Sequence, residues 1–173
     1  MPLVSTHIPT PLGDMLAVAS PQGLCLLEFV GQKGVERELA QVEAARGGPA
    51  VQGSNAILDQ VRQQLQEYFA GERQDFAVPL DLVGTPFQLK TWQALLAIPF
   101  GQTRSYAEQA RHIGQPTATR AVAAANGCNK VSIVVPCHRV IGSDGSLTGF
   151  GGGLPRKQAL LALEGRVRAP ALV

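Results

Sequence analysis

The chain has 173 residues, 45% of them apolar, which is enough for one large domain or two small ones with a real hydrophobic core. No stretch approaches the roughly 18 apolar residues of a membrane span, and no basic segment leads an apolar core at the start, so we expect a soluble, cytoplasmic protein without membrane contact. The three cysteines form no C-x-x-C pair and the three histidines are scattered, which argues against a disulfide scaffold and a zinc site; we predict no bound metal.

The first half of the sequence predicts a small α/β domain over residues 1–80. Turn signals at residues 11–14 and 21–23 separate short apolar runs, a pattern typical of a small antiparallel sheet in which Cys25 is a core residue. Helical patterns follow at residues 35–45 and in an apolar series ended by Gly71, namely Ile57, Val61, Leu65 and Tyr68. Nothing in this half indicates chemistry, and we interpret it as a scaffold.

A linker is predicted over residues 74–84, followed by a mostly helical second domain over residues 85–173. Thr85-x-x-Gln88 and Ser105-x-x-Glu108 are capping boxes, and each predicts the start of a helix. The turn Gly114-Gln115-Pro116 then joins the short helix after Ser105 to an alanine-rich helix over residues 117–126. Two short helices joined in this way are typical of a helix-turn-helix, although such pairs also occur in proteins that never bind DNA.

The charge distribution favours a nucleic-acid partner for the second half. Residues 1–84 carry five Lys/Arg against ten Asp/Glu, a net charge of −5, whereas residues 85–173 carry ten against three, a net charge of +7. A polyanion is attracted to the basic half and repelled by the acidic one. Within the alanine-rich helix, Arg120 is the one long cation among small residues, which would let the helix approach a groove closely while the guanidinium reaches in.

A cysteine and a histidine stand side by side in the block Val135-Pro136-Cys137-His138-Arg139-Val140. Only the thiolate is nucleophilic, and because an unperturbed cysteine titrates near ~8.5, it needs a base such as imidazole to react at neutral pH. The apolar run before Pro136 predicts a strand, with Cys137 at its exit. The glycine-dense segment 142–153 that follows would let a substrate approach the backbone closely.

The sequence resembles the O(6)-alkylguanine-DNA alkyltransferases, the methylated-DNA–protein-cysteine methyltransferases. The resemblance is dense from residue 85 to 165 and weak across residues 1–84, and it is greatest for the bacterial constitutive form, which has no metal-binding N-terminal half. The segments that carry it are Pro136-Cys137-His138-Arg139-Val140, Ser105-Tyr106-Ala107, Ala118-Thr119-Arg120-Ala121-Val122, Ala125-Asn126-Gly127-Cys128-Asn129, Gly149-Phe150-Gly151-Gly152-Gly153-Leu154 and Leu160-Leu161-Ala162-Leu163-Glu164-Gly165. It implies a ribonuclease H-like α/β first domain and a winged-helix-like second domain.

The resemblance also implies a reaction and its catalytic residues. Alkylated guanine is flipped out of double-stranded DNA, and Cys137 takes its alkyl group irreversibly, without a cofactor, so the protein acts once. By the same resemblance His138 accepts the thiol proton, Glu164 orients the imidazole and Tyr106 donates its hydroxyl to the leaving guanine.

Further residues are assigned by the resemblance to DNA and to the alkyl pocket. Arg120 would fill the gap left by the flipped base, Asn129 would brace the segment before Cys137 in the DNA-binding region, and two positions would lie near the DNA backbone, Gln115 and Ser143. The pocket would be lined by Val135, Phe150 and Gly151. Gly151 stands where the family usually has alanine or serine, which would alter the tolerance for alkyl-group size.

Three other functions share part of this pattern. A cysteine hydrolase would share the Cys-His pair, but in papain-like sequences the two residues lie far apart. A non-catalytic lesion sensor of the same fold would carry another residue in place of Cys137, and a helix-turn-helix transcription factor would leave the Pro-Cys-His-Arg-Val block unexplained. We expect a monomer, and the sequence leaves open cooperative assembly on DNA and repair of alkylated thymine.

Overall fold

A computed structural model describes residues 2–168, with side chains described as far as residue 165. The chain forms two compact units that divide between Val83 and Gly84. The fold is mixed α/β, with a small sheet in the first unit and mostly helices in the second, which confirms the predicted fold class. None of the described helices is long and apolar enough to cross a membrane.

The first unit contains a four-stranded sheet in the order β3-β2-β1-β4. Strands β1 (Val4–Ile8), β2 (Met15–Ala19) and β3 (Leu24–Phe29) are antiparallel neighbours, as the turn signals predict. Strand β4 (Val51–Gln52) pairs in parallel with β1 and was not predicted, because two exposed residues carry no periodicity.

Two helices complete the first unit. Helices α1 (Val35–Arg46) and α2 (Ala56–Phe69) match the predicted stretches, and the Asn55 side chain caps α2 by accepting a hydrogen bond from the Leu58 amide. Cys25 is fully buried in the core with Leu3, Val18 and Leu26, as predicted.

The predicted linker 74–84 is wrong in part, because residues 79–81 belong to the first unit. The Leu24 amide donates to the Pro79 carbonyl at 2.8 Å, and the Asp81 amide donates to the Leu24 carbonyl at 2.9 Å. Asp81 also accepts hydrogen bonds from the Arg46 guanidinium at 2.9 and 3.0 Å. The segment therefore extends the sheet edge beside β3 before the chain enters the second unit.

Between residues 84 and 168 the second unit contains four α-helices, α3 (Pro86–Leu96), α4 (Tyr106–His112), α5 (Thr119–Gly127) and α6 (Leu154–Arg168). Both predicted capping boxes are present, at the starts of α3 and α4. Helices α4 and α5 form the predicted helix-turn-helix. Two short strands, each of two residues, pair in parallel: β5 (Arg104–Ser105) and β6 (Val140–Ile141). Neither strand was predicted.

The predicted strand before Cys137 is wrong. Residues 132–134 form a turn, in which the Val134 amide donates to the Ser132 carbonyl at 2.8 Å; the Val135 amide donates to the Val131 carbonyl at 3.0 Å. Ile133 has a φ of 72°, a left-handed conformation that is rare for a β-branched residue. The run is buried, and none of its residues belongs to one of the named strands.

Candidate active site

Cys137 begins a short 3₁₀ helix, Cys137–Arg139, directly after the buried turns. The Asn129 side chain braces these turns from both ends: its Nδ2 donates to the Val135 carbonyl at 2.8 Å, and its Oδ1 accepts from the Val131 amide at 3.0 Å. Asn129 is 4% exposed, so its amide is directed to the protein backbone. The strained segment is thereby fixed, and Cys137 is held half-buried at its end.

His138 lies behind Cys137 in a fully buried ion network. Its Nε2 is 2.7 Å from Oε2 of Glu164, which comes from α6. Arg139 donates to both oxygens of the same carboxylate, at 2.9 and 3.0 Å, and to the Ile98 carbonyl at 2.7 Å. The arginine also stacks over the Phe100 ring at 5.7 Å. One carboxylate thus holds the imidazole and the guanidinium together.

Burial and pairing set the protonation of this network. Burial lowers the pKa of His138, and the hydrogen bond and charge of Glu164 offset only part of that effect. Burial would raise the pKa of Glu164, but hydrogen bonds from His138 and Arg139 bring it down to about 2. The pair is therefore a neutral imidazole and a carboxylate, with Nε2–H donating to Glu164.

The second ring nitrogen of His138 completes this arrangement. With the proton on Nε2, Nδ1 carries a lone pair and can accept a proton. Nδ1 is buried and has no hydrogen-bond partner among the described residues. A carboxylate-oriented imidazole next to a half-buried thiol is the arrangement that activates a nucleophile by general-base catalysis.

Cys137 lines a cavity of about 360 Å³ in the second unit. Its other lining residues come from α4, α5 and the glycine-dense loop, namely Tyr106, Ala123, Asn126, Gly127, Thr148, Gly149, Phe150 and Gly151. Of the predicted pocket residues, Phe150 and Gly151 line the cavity, whereas Val135 is fully buried and is not in its lining. The Tyr106 hydroxyl donates to the Thr148 carbonyl at 3.0 Å.

Sequence reasoning missed Lys157 and the part that Arg139 plays in the ion network. Lys157 is fully buried, and its Nζ donates to the Val140 carbonyl at 2.6 Å and to the Thr148 carbonyl at 2.7 Å. It therefore ties the glycine-dense loop to the strand after Cys137. Burial lowers its pKa, and the nearby Cys137 charge opposes that shift. One signal could have found it: Lys157 precedes Glu164 by seven residues, or two helical turns, which places both on one face of α6.

Three of the residues predicted to meet DNA are at least partly exposed. Arg120 is exposed near the start of α5, with the small exposed side chains of Ala121, Ala123 and Ala124 beside it. Gln115 is partly exposed in the turn between α4 and α5, and Ser143 is exposed in the glycine-dense loop. Within residues 2–165, no group of three or more His, Cys, Asp or Glu side chains could hold a metal ion.

Each of the two units matches a known protein-family model. Residues 3–82 match a family model described as "6-O-methylguanine DNA methyltransferase, ribonuclease-like domain". Residues 86–166 match the model described as "6-O-methylguanine DNA methyltransferase, DNA binding domain". Together the two models leave out only a few residues at the junction and at the two ends.

Individual relatives agree with these matches. A Mycobacterium leprae methylated-DNA–protein-cysteine methyltransferase is 56% identical over 155 residues, 90% of this chain and 88% of the relative. The Mycobacterium tuberculosis relative is 62% identical over 108 residues, but this alignment covers 62% of the chain and 65% of the relative, which is less than two thirds of its length.

A solved structure extends the agreement to the fold. The structure of the Mycobacterium tuberculosis protein in complex with DNA is similar with a TM-score of 0.82 at 42% identity, covering 96% of this chain and 94% of that one. The likeness thus spans both units, which the two family models match separately. The chain therefore belongs to the 6-O-methylguanine DNA methyltransferase family, the methylated-DNA–protein-cysteine methyltransferases.

Proposed function

We propose that this protein repairs DNA by moving the alkyl group of O(6)-alkylguanine onto its own Cys137, once and irreversibly. The observation that carries the proposal is the position of Cys137, which lines a cavity of about 360 Å³ and is followed directly by a histidine paired with a buried carboxylate. The names of the relatives support the same reaction for the family.

The reaction is a displacement at carbon. The Cys137 proton passes to Nδ1 of His138, directly or through a water, and the thiolate attacks the alkyl carbon. The S–C bond forms as the C–O6 bond breaks, and its electron pair leaves with the purine, which then takes up a proton. The thioether is stable and a thiol does not cleave it, so the protein is consumed.

Tyr106 and Glu164 assist different parts of this step. Glu164 holds the Nε2–H of His138 at 2.7 Å and stabilises the imidazolium that forms when Nδ1 is protonated. Tyr106 lines the cavity and donates its hydroxyl to the Thr148 carbonyl, and the bound purine would compete for that donor. A hydrogen bond to the leaving guanine stabilises the charge that develops on the ring.

DNA binding would use the helix-turn-helix of α4 and α5. We propose that Arg120 enters the duplex in place of the flipped base, with Gln115 and Ser143 near the DNA backbone, since a base must leave the stack before its substituent can react. Asn129 would contribute by bracing the turns before Cys137. Residues 85–173 would therefore bind DNA and transfer the alkyl group, with residues 1–80 as the scaffold.

We also propose a monomer that works in the cytoplasm, where it would meet double-stranded DNA containing alkylated guanine. Sedimentation of the protein alone and with duplexes of increasing length tests the monomer and any cooperative assembly. A constant sedimentation coefficient for the protein alone is expected, and a concentration-dependent increase would contradict the monomer.

Peptide mapping tests the proposed chemistry. The protein is incubated with duplex DNA containing one O(6)-methylguanine, digested and examined by mass spectrometry, with Cys137→Ala as the control. We expect a methyl group on the peptide that contains Cys137 and none in the control. A methyl group mapped to Cys25 or Cys128 instead would overturn the assignment.

A further inference from the structure

Two buried amide side chains join the helices of the helix-turn-helix. Nε2 of Gln109 on α4 donates to Oδ1 of Asn126 on α5 at 2.9 Å, and Nδ2 of Asn126 donates to Oε1 of Gln109 at 2.7 Å. Gln109 is fully buried and Asn126 is 7% exposed. Nε2 of Gln109 also donates to the Thr91 carbonyl of α3 at 3.3 Å, so the pair connects three helices.

The apolar core between α4 and α5 is small, and Trp92 of α3 donates its indole N–H to the Ala125 carbonyl at 2.8 Å. Ala110, Ile113 and Val122 form the neighbouring core cluster between α4 and α5. An alanine-rich helix has shallow ridges, so its apolar packing alone tolerates small shifts along its partner. A reciprocal pair of amide hydrogen bonds is satisfied in one register only, and any slip would leave buried polar groups unpaired.

One member of the pair lies at the wall of the cavity. Asn126 lines the cavity together with Tyr106 and Cys137. Gln109 follows Tyr106 by three residues, so both lie on one side of α4, about one turn apart. The register of α5 against α4 therefore fixes the width of the cavity between Tyr106 and the α5 wall, which is formed by Ala123, Asn126 and Gly127.

We infer that the Gln109–Asn126 amide pair is a positioning element, which fixes the α5 wall of the cavity opposite Tyr106 and so determines how tightly the alkylated purine is held. The inference rests on the proposed function and adds two residues to it. Both residues act through the cavity wall, and the contacts that orient His138 come from Glu164, so the chemical step is separate from this pair.

The test uses the full chain with four changes: Gln109→Met, Asn126→Leu, the two combined, and Gln93→Met as a control that removes an exposed glutamine from α3. Each single change at the pair leaves one buried amide unpaired and should lower the folding equilibrium constant roughly ten- to a hundredfold in urea titrations. The combined change removes both amides, and we expect most of this loss to be regained.

Single-turnover inactivation by free O(6)-methylguanine base gives a maximal rate and a half-saturating concentration. We expect the half-saturating concentration to rise roughly tenfold in both single variants and in the combined variant, with the maximal rate unchanged, because the wall is misplaced and the nucleophile is not. The rate at which iodoacetamide alkylates Cys137 across pH should match that of the parent. Gln93→Met should match the parent in every measurement.

Two results would overturn the positioning role. If the combined variant regains stability and also the parent's half-saturating concentration, the pair contributes only packing. If the maximal rate falls at an unchanged half-saturating concentration, the pair acts in the chemical step instead.

If the proposed function itself is wrong, the result is different: the unmodified protein would also resist inactivation by free O(6)-methylguanine. The positioning role would in that case be decided by amide hydrogen exchange of residues 119–127 in the combined variant. Faster exchange than in the parent despite regained stability would support it, and parent-like exchange would overturn it.

Discussion

At the scale of single residues, one carboxylate with two partners holds the candidate active site together. Glu164 holds the imidazole of His138 at 2.7 Å and the guanidinium of Arg139 at 2.9 Å. Burial keeps His138 neutral by lowering its pKa, which suits a base that has to receive a proton. Glu164 therefore has a catalytic and a structural effect, and substitutions can separate the two.

Replacement of the general base, His138, should change both the rate of alkyl transfer and its pH dependence. We expect His138→Ala to slow alkyl transfer at neutral pH by roughly 10²–10⁴-fold, the usual contribution of a general base. Higher pH should restore much of the lost rate, because solvent base can then deprotonate the thiol. Single-turnover transfer from methylated duplex DNA, measured across pH, tests this. A variant that keeps the parent's rate and pH profile would show that another group forms the thiolate.

Replacement of the carboxylate should slow transfer less and destabilise the protein more. Glu164→Gln keeps the imidazole, so we expect a smaller loss of rate than for His138→Ala at the same pH. It also leaves the buried Arg139 without its ion pair, and breaking such a pair costs about 3–5 kcal/mol. Urea unfolding of the two variants at neutral pH compares them. A Glu164 variant as stable as the parent would show that the ion pair contributes little.

The same carboxylate predicts how stability depends on pH. Its pKa falls from an ordinary 4.5 to about 2 in the folded protein, so the unfolded chain binds more protons in this range. The stabilisation is fully present above pH 4.5 and is lost as the pH falls towards 2, a change of about 3 kcal/mol. Unfolding free energies between these pH values should show that loss in the parent and a smaller one in Glu164→Gln. Equal slopes would contradict the assigned pKa.

The sequence identified some of these residues better than others. Cys137 and His138 stand out because they are adjacent in a block that suggests chemistry, and the role of Glu164 came from resemblance. Lys157 was missed because a lysine on a helix usually lies in solvent. The carbonyls that it binds, at Val140 and Thr148, come from segments that only the folded chain brings together.

At the scale of elements, local sequence signals determine α4 and α5, whereas contacts with a side chain outside the segment determine the turns before Cys137. The capping boxes and the glycine-containing turn predict α4 and α5 locally, because each signal lies within a few residues of the helix end that it determines. The segment 131–135 was wrongly predicted as a strand. Its apolar residues are buried, and hydrogen bonds from the Asn129 side chain hold the segment in place. No local sequence pattern predicts these hydrogen bonds.

The position of Arg120 on α5 leads to a prediction about base extrusion. We expect Arg120→Ala to slow repair of duplex DNA far more than reaction with the free alkylated base, because only the duplex requires a base to leave the stack. Arg111→Ala removes the same charge from an exposed site on α4 and is the matched control. Single-turnover rates with both substrates test this. Equal slowing on both substrates by the Arg120 variant would assign that residue to the chemistry instead.

At the scale of the whole molecule, the fold class could be predicted from the sequence, whereas the pairing of the shortest strands could not. The change in sequence character near residue 85 lies close to the division between Val83 and Gly84, and the mixed α/β class followed from the order of turns and helices. Strands β4, β5 and β6 could not be predicted, because each has two residues and is defined by a partner distant in sequence.

The division of charge between the halves predicts salt-dependent DNA binding. The +7 of residues 85–173 should make binding of undamaged duplex weak to moderate and strongly dependent on salt, because bound lysines and arginines release counterions from the phosphates. Affinities measured from about 50 to 200 mM salt should fall linearly on logarithmic axes. An affinity that barely changes over this range would contradict a phosphate-binding second half.

The central claim, a single irreversible transfer to Cys137, is tested most directly by counting the alkyl groups that each molecule accepts. Protein is mixed with a large excess of duplex DNA carrying radiolabelled O(6)-methylguanine, and protein-bound label and demethylated guanine are followed over time. We predict that both reach a plateau at one per active molecule and that fresh substrate produces no further reaction. Continued formation of demethylated guanine after the plateau of bound label would show turnover and contradict the account.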